Sequence, residues 1–153
     1  MNRENTKDVI ELVAALGVIV TLAFVALEIR QNTNVARSAS AQSIADQSYD
    51  AVMRLVENDE LRAAYLAGFD GNLTDEQEQH LRMFYNAVIR IQANRHEQIK
   101  LGIIDLELAL SLGGRADAYA SPFFVDFWTE VKGRYPEDFQ DYIETHVIGF
   151  EGN

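Results

Sequence analysis

The sequence predicts an all-α protein: one apolar helix near the N-terminus, able to continue as a long helix, followed by a compact helical bundle. Three observations lead there. Leu12 to Leu27 is sixteen residues without a charge. Downstream, apolar residues recur at three- and four-residue spacing between capping residues. No stretch alternates apolar and polar residues as a strand would, and no hairpin turn signal occurs.

The apolar segment comes first. Ten of the sixteen residues from Leu12 to Leu27 are Leu, Ile, Val or Phe. Extended over Val9, Ile10 and Ile29 it reaches 21 residues, a helix about 32 Å long, matching the hydrocarbon thickness of a bilayer. Summed residue by residue, insertion is favoured by a few kcal/mol. The segment is apolar all round, unlike an amphipathic surface helix. It is therefore expected to span a lipid bilayer once. Two other readings compete with this one. A cleaved signal peptide would use Ala39-Ser40-Ala41, which lies far beyond the apolar run for that purpose. A soluble oligomer could instead bury the helix between subunits. Arg3 and Lys7 before the segment balance Arg30 and Arg37 after it, so basic residues do not set the orientation. Ala14, Gly17 and Thr21 share one face at i, i+3 and i+7, a stripe on which a second helix can pack closely in lipid.

Charge divides the chain at Arg30. Residues 1–30, the expected anchor, carry a net −1; residues 31–153, the expected helical domain, carry −10 of the total −11. Binding nucleic acid through its phosphates needs a basic footprint, and this chain has none. The acidity reads as solvation of exposed helical faces. Cysteine is absent, which removes disulfides and thiolate metal sites and fits a reducing compartment.

In the element order that follows, Asn5 or Thr6 caps the first helix, with Asp8 in its first turn. Neither Gly nor Pro occurs from Val18 to Ala67, so the helix can run far beyond the bilayer. Gln31-Asn32-Thr33-Asn34 is the place for a kink. Beyond it Ala41, Ile44, Ala45, Ser48, Val52, Leu55 and Val56 form an apolar face. Asn58 or Asp59 opens a short helix over Leu61–Ala67, stopped by Gly68. Thr74-Asp75-Glu76-Gln77 is a capping box with Leu73 as staple. It opens a helix from Asp75 to Leu101, ended by Gly102, whose apolar line is Leu81, Phe84, Tyr85, Val88, Ile91 and Ile99. Asp105 caps Leu106–Leu112, ended by Gly113-Gly114. Ser121-Pro122 opens Phe123–Lys132, and Tyr135-Pro136 opens a last helix to about Val147. Phe124, Phe127, Trp128 and Val131 form one stripe. Phe139, Tyr142 and Ile143 form another, and the short connection lets the two meet.

The run Ile19-Val20-Thr21-Leu22 through Leu27-Glu28-Ile29-Arg30-Gln31-Asn32-Thr33 resembles the opening of a group of small, uncharacterised bacterial proteins. In these an apolar helix exits through L-x-I-R-Q-N-T into a helical domain. Gly102-Ile103-Ile104-Asp105, and Ser121-Pro122-Phe123 through Pro136-Glu137-Asp138-Phe139, are similar to their second half. The resemblance carries no activity over. It implies a bacterial source and a C-terminal domain on the cytoplasmic side of the inner membrane.

Few residues are spaced for chemistry. His80, His96 and His146 are not spaced to form a two-histidine metal site on a helix. His96-Glu97 starts like a zinc-protease motif, but Lys100 stands where the second histidine belongs. Acids cluster at Asp75-Glu76-Glu78 and Glu137-Asp138-Asp141, where first helical turns favour carboxylates anyway. No phosphate-binding glycine loop, serine elbow or E-x-x-H pair occurs. No catalytic residue, metal or cofactor is implied. One polar line remains: Asn86, Arg90, Asn94 and Glu97 flank the apolar line of the 75–101 helix. They form either a solvated face or the wall of a ligand groove. Phe123, off the main aromatic stripe, is the candidate for a partner contact. The expected function is a non-enzymatic, membrane-anchored interaction or accessory protein, self-assembling or attached to a larger membrane complex. The alternative is a membrane-tethered sensor or enzyme with a small-molecule site among the bundle helices.

Overall fold

The computed structural model describes residues 3–113 and 121–149. Six α-helices follow in order among them: α1 Arg3–Glu57, α2 Asp59–Asp70, α3 Asp75–Lys100, α4 Leu106–Ser111, α5 Pro122–Val131 and α6 Glu137–Tyr142. A 3₁₀ turn over Lys132–Arg134 joins α5 to α6, and α6 continues as a π-helical stretch, Ile143–Ile148. No strand occurs among the described residues, so the protein is all-α with a helical bundle. Gly114 lies outside them.

The chain divides into two units, Met1–Ser38 and Ala39–Asn153. The sequence divides earlier, at Arg30, because apolarity ends there. The structural division comes later on the same helix, where packing begins: Ile44 is the first fully buried side chain. In the first unit α1 begins at Arg3, ahead of the expected caps Asn5 and Thr6. It is unbroken across Gln31–Asn34, where a kink was expected. Thr33 Oγ1 donates back to Ile29 O at 2.9 Å there, which satisfies the hydroxyl within the helix. Every side chain from Ile10 to Ile29 is exposed. The most apolar 18-residue window of this helix has a mean hydropathy of 2.6 with none of it buried. The helix is long and apolar enough to cross a membrane.

In the second unit four caps form where the sequence offers them, with Asn58 the one used of the two candidates before α2. Asn58 Oδ1 accepts from Leu61 N, Asp105 Oδ1 from Leu108 N, and Ser121 Oγ from Phe124 N. Thr74 and Gln77 exchange both bonds of the capping box. Two boundaries move. α2 does not stop at Gly68; it runs to Asp70 and closes on Gly71, whose φ of 72° is the left-handed cap. Gly68 is instead a packing residue. A Cβ there would stand 2.9 Å from Leu81 Cδ1, so glycine lets α2 lie close on α3. Pro136 is itself the N-cap of α6 and not its first turn.

The main core joins α2, α3, α5 and α6 with its π-helical extension, through Ala64, Leu81, Tyr85, Val88, Ile89, Phe124, Phe127, Trp128, Phe139, Ile143 and Val147. The two aromatic stripes do meet: Trp128 stands edge-on to Phe139 with centroids 6.0 Å apart. A smaller cluster of Ile44, Ile104 and Ala109 ties α1 to the turn after α3 and to α4. Two sequence expectations about faces change. On α1, Val52 and Val56 are 57% and 56% exposed. The covered side is Ile44, Ser48, Ala51 and Leu55, one position round the helix. On α3, Ile91 and Ile99 are only half-buried, while Ile89, Gln92, Arg95 and His96 are buried. α3 is enclosed over a wide arc because other helices of the unit pack on more than one of its sides.

Candidate functional site

The residues singled out from sequence do not converge on one place. Ala14, Gly17 and Thr21 lie on the exposed surface of α1. A Cβ at Gly17 would meet nothing within 4 Å. Thr21 Oγ1 donates to Gly17 O at 2.8 Å, so its hydroxyl is already used within its own helix. Any helix approaching this stripe would meet a smooth, small-residue surface and not an offered hydrogen bond.

The polar line on α3 splits. Asn86, Arg90, Asn94 and Glu97 are all exposed. Asn86 Nδ2 donates to Arg82 O within α3, and Glu97 sits 3.5 Å from Lys100. Asn94 Nδ2 donates across to Gln47 Oε1 of α1 at 3.3 Å. Of the four, Arg90 lines a groove of about 590 Å³ between the end of α1, the start of α2 and α3. Its walls carry Arg54, His80, Asp50 and Glu60 over a floor of Leu61, Phe84, Val88 and Ile91. The volume lies in the range of small-molecule sites.

Above the groove the two helices are pinned by a buried polar cluster that the sequence reading missed. Arg95 is 0% exposed and Gln92 1%. Arg95 Nη1 donates to Gln92 Oε1 at 3.0 Å, and Nη2 to Ser48 Oγ of α1 at 2.9 Å. Ser48 in turn donates to Ile44 O. Tyr142 donates to Gln92 Oε1 at 3.3 Å, bringing α6 into the same cluster. No carboxylate pairs with Arg95 among the described residues, and Arg95 Nε and Gln92 Nε2 have no protein partner. Gly113, with φ 139°, closes the cluster: a Cβ there would fall 2.3 Å from Ser48 Oγ. The available signal was the spacing of Gln92, Arg95 and His96 on the α3 face next to Ile89 and Ile99. Polar residue type hid it, because such residues are usually exposed.

Phe123 is half-buried against the core. It stacks on Phe127 at 6.4 Å and on Tyr85 at 6.1 Å. With Glu78, Arg82, Asp126 and Glu130 it edges a polar cleft of about 260 Å³. There Arg82 bridges Glu78 and Glu130 at 2.9 and 2.8 Å and lies over the Phe127 ring. Those two carboxylates raise its basicity above the ordinary value, the Glu130 hydrogen bond first. Lys132 bonds Glu144 at 2.8 Å. That bond, then the Trp128 N–H, holds the Glu144 carboxyl below the usual glutamate range. Lys100 does the same to Asp138. Such exposed pairs orient helices and add little energy. Among the described residues no group of three or more His, Asp or Glu is arranged to hold a metal. Comparison with protein-family models, curated proteins and solved structures finds no match to this chain.

Proposed function

We propose that this chain is a membrane-anchored, non-enzymatic interaction or accessory protein that self-assembles or attaches to a larger membrane complex. One observation carries the reading: the helix from Ile10 to Ile29 presents only exposed side chains, nearly all apolar. That much apolar surface is unstable in water and stable in lipid. Among its described residues the helical domain offers no convergent set of nucleophile, base and oxyanion donors, which supports a binding role over a catalytic one. The proposed location is the bacterial inner membrane, crossed once, with residues 39–153 in the cytoplasm. The lack of cysteine and the L-x-I-R-Q-N-T resemblance support that side.

Alkaline carbonate washing of cell membranes tests the anchor. The chain is expected in the pellet; release into the supernatant would remove the anchored reading. A C-terminal reporter that is active only in the periplasm tests the side and is expected to be silent. Strong reporter activity would place the domain outside the cytoplasm.

A further inference from the structure

We infer that the groove between α1, α2 and α3 is a binding site for an amphipathic organic monoanion, an apolar aryl or alkyl body carrying one carboxylate. The inference stands apart from membrane attachment and gives the accessory protein a ligand to respond to.

The floor argues for the apolar body. Val88 is 2% exposed and belongs to the main core. Around it Leu61, Phe84 and Ile91 leave part of their apolar surface open to the cavity. The pinning of Ser48 and Gln47 to Arg95 and Asn94 holds α1 beside α3 at one end of the groove. Burying this surface under a ligand gains free energy in proportion to the area covered.

The rim argues for the anion. Arg54 and Arg90 both line the groove, and neither guanidinium makes a hydrogen bond or ion pair with a described residue. Their state contrasts with that of four other basic side chains in the unit, although Arg134, which does not line the groove, is unpaired as well. Arg62 is held by Asp59, Arg82 by Glu78 and Glu130, Lys100 by Asp138 and Lys132 by Glu144. In a chain with 24 acidic and 13 basic residues, carboxylates are in surplus. Two guanidiniums without a carboxylate partner therefore border one apolar floor. A guanidinium binds a carboxylate through paired, charge-assisted hydrogen bonds.

The acids on the same rim limit the charge. Asp50 and Glu60 also line the groove, and the surrounding domain is strongly acidic. A nucleotide or other polyanion would meet repulsion from both. A single carboxylate seated at Arg54 and Arg90 avoids it, with the uncharged body directed along the floor.

The test uses the full chain in lipid nanodiscs, titrated calorimetrically with 2-naphthoate against empty nanodiscs. Its neutral counterpart, 2-naphthylmethanol, and pyrophosphate are titrated alongside. Naphthoate is expected to bind above the nanodisc background, at least tenfold more tightly than the alcohol, with pyrophosphate inert. In the Arg54→Gln/Arg90→Gln variant the acid should weaken by tenfold or more while the alcohol is unchanged. Ala87→Trp, which fills the exposed part of the groove, should abolish both. Equal affinity for acid and alcohol would overturn the anionic ligand class, and this comparison on the unaltered chain needs no variant to fold. No binding above the background, or acid binding unaffected by Ala87→Trp, would overturn the site itself.

Discussion

Ser48 does two things with one hydroxyl: it donates to Ile44 O inside α1 and accepts from the buried guanidinium of Arg95. Losing it would leave an Arg95 N–H buried without an acceptor, beside the Nε that already has none. Ser48→Ala is therefore expected to destabilise the protein by about 1–3 kcal/mol. Arg95→Met should cost less, since it removes the buried charge together with its unmet donors and keeps most of the volume. Urea unfolding of the reconstituted chain, followed by Trp128 fluorescence, gives the order. A larger loss in Arg95→Met would mean that the guanidinium makes a net contribution to stability. Gly113 explains why the chain is so small-sided at this point, because any side chain would displace Ser48.

At the scale of the element, α1 is one helix that runs through both units. Its first unit exposes apolar side chains on all sides; its end covers only the Ile44, Ser48, Ala51 and Leu55 side. The proposed self-assembly would place its seam at Ala14, Gly17 and Thr21, where backbones can approach closely. Because the Thr21 hydroxyl is bound to Gly17 O, such a seam would rest on close packing, and bulk at Gly17 should disrupt it. Gly17→Leu is expected to lower self-association in bilayers several-fold, measured by energy transfer between labelled copies. Unchanged transfer would exclude this face. The same element shows where period alone misleads. Val52 and Val56 fit an apolar face by spacing, yet α3 and α4 cover the neighbouring side and leave them in solvent.

For the whole molecule, the aromatic stripes of α5 and α6 are the measurable centre. Trp128 is 2% exposed, stands edge-on to Phe139 and donates from Nε1 to Glu144 at 3.3 Å. As the single tryptophan, it should emit at short wavelength and resist acrylamide quenching. Trp128→Ala is expected to cost about 3–5 kcal/mol. Water-like emission from the folded chain would contradict this packing. The stripes were legible in sequence because three- and four-residue spacing of large aromatics permits few arrangements once a short connection brings two helices together.

The sequence by itself determined the helical class, the apolar N-terminal helix and the caps at Asn58, Thr74, Asp105 and Ser121. Each is a local property: a charge-free run, a 3.6-residue period, or a side-chain oxygen three residues ahead of an unpaired N–H. Only the tertiary structure decided which side of α1 is covered and that Gly68 packs instead of stopping a helix. It also buried Arg95 and Gln92 while leaving Arg90 at a groove. Those outcomes depend on the angle and closeness of approach of helices far apart in the chain. A polar side chain on a helix carries no mark of its own telling which neighbour will come to rest against it.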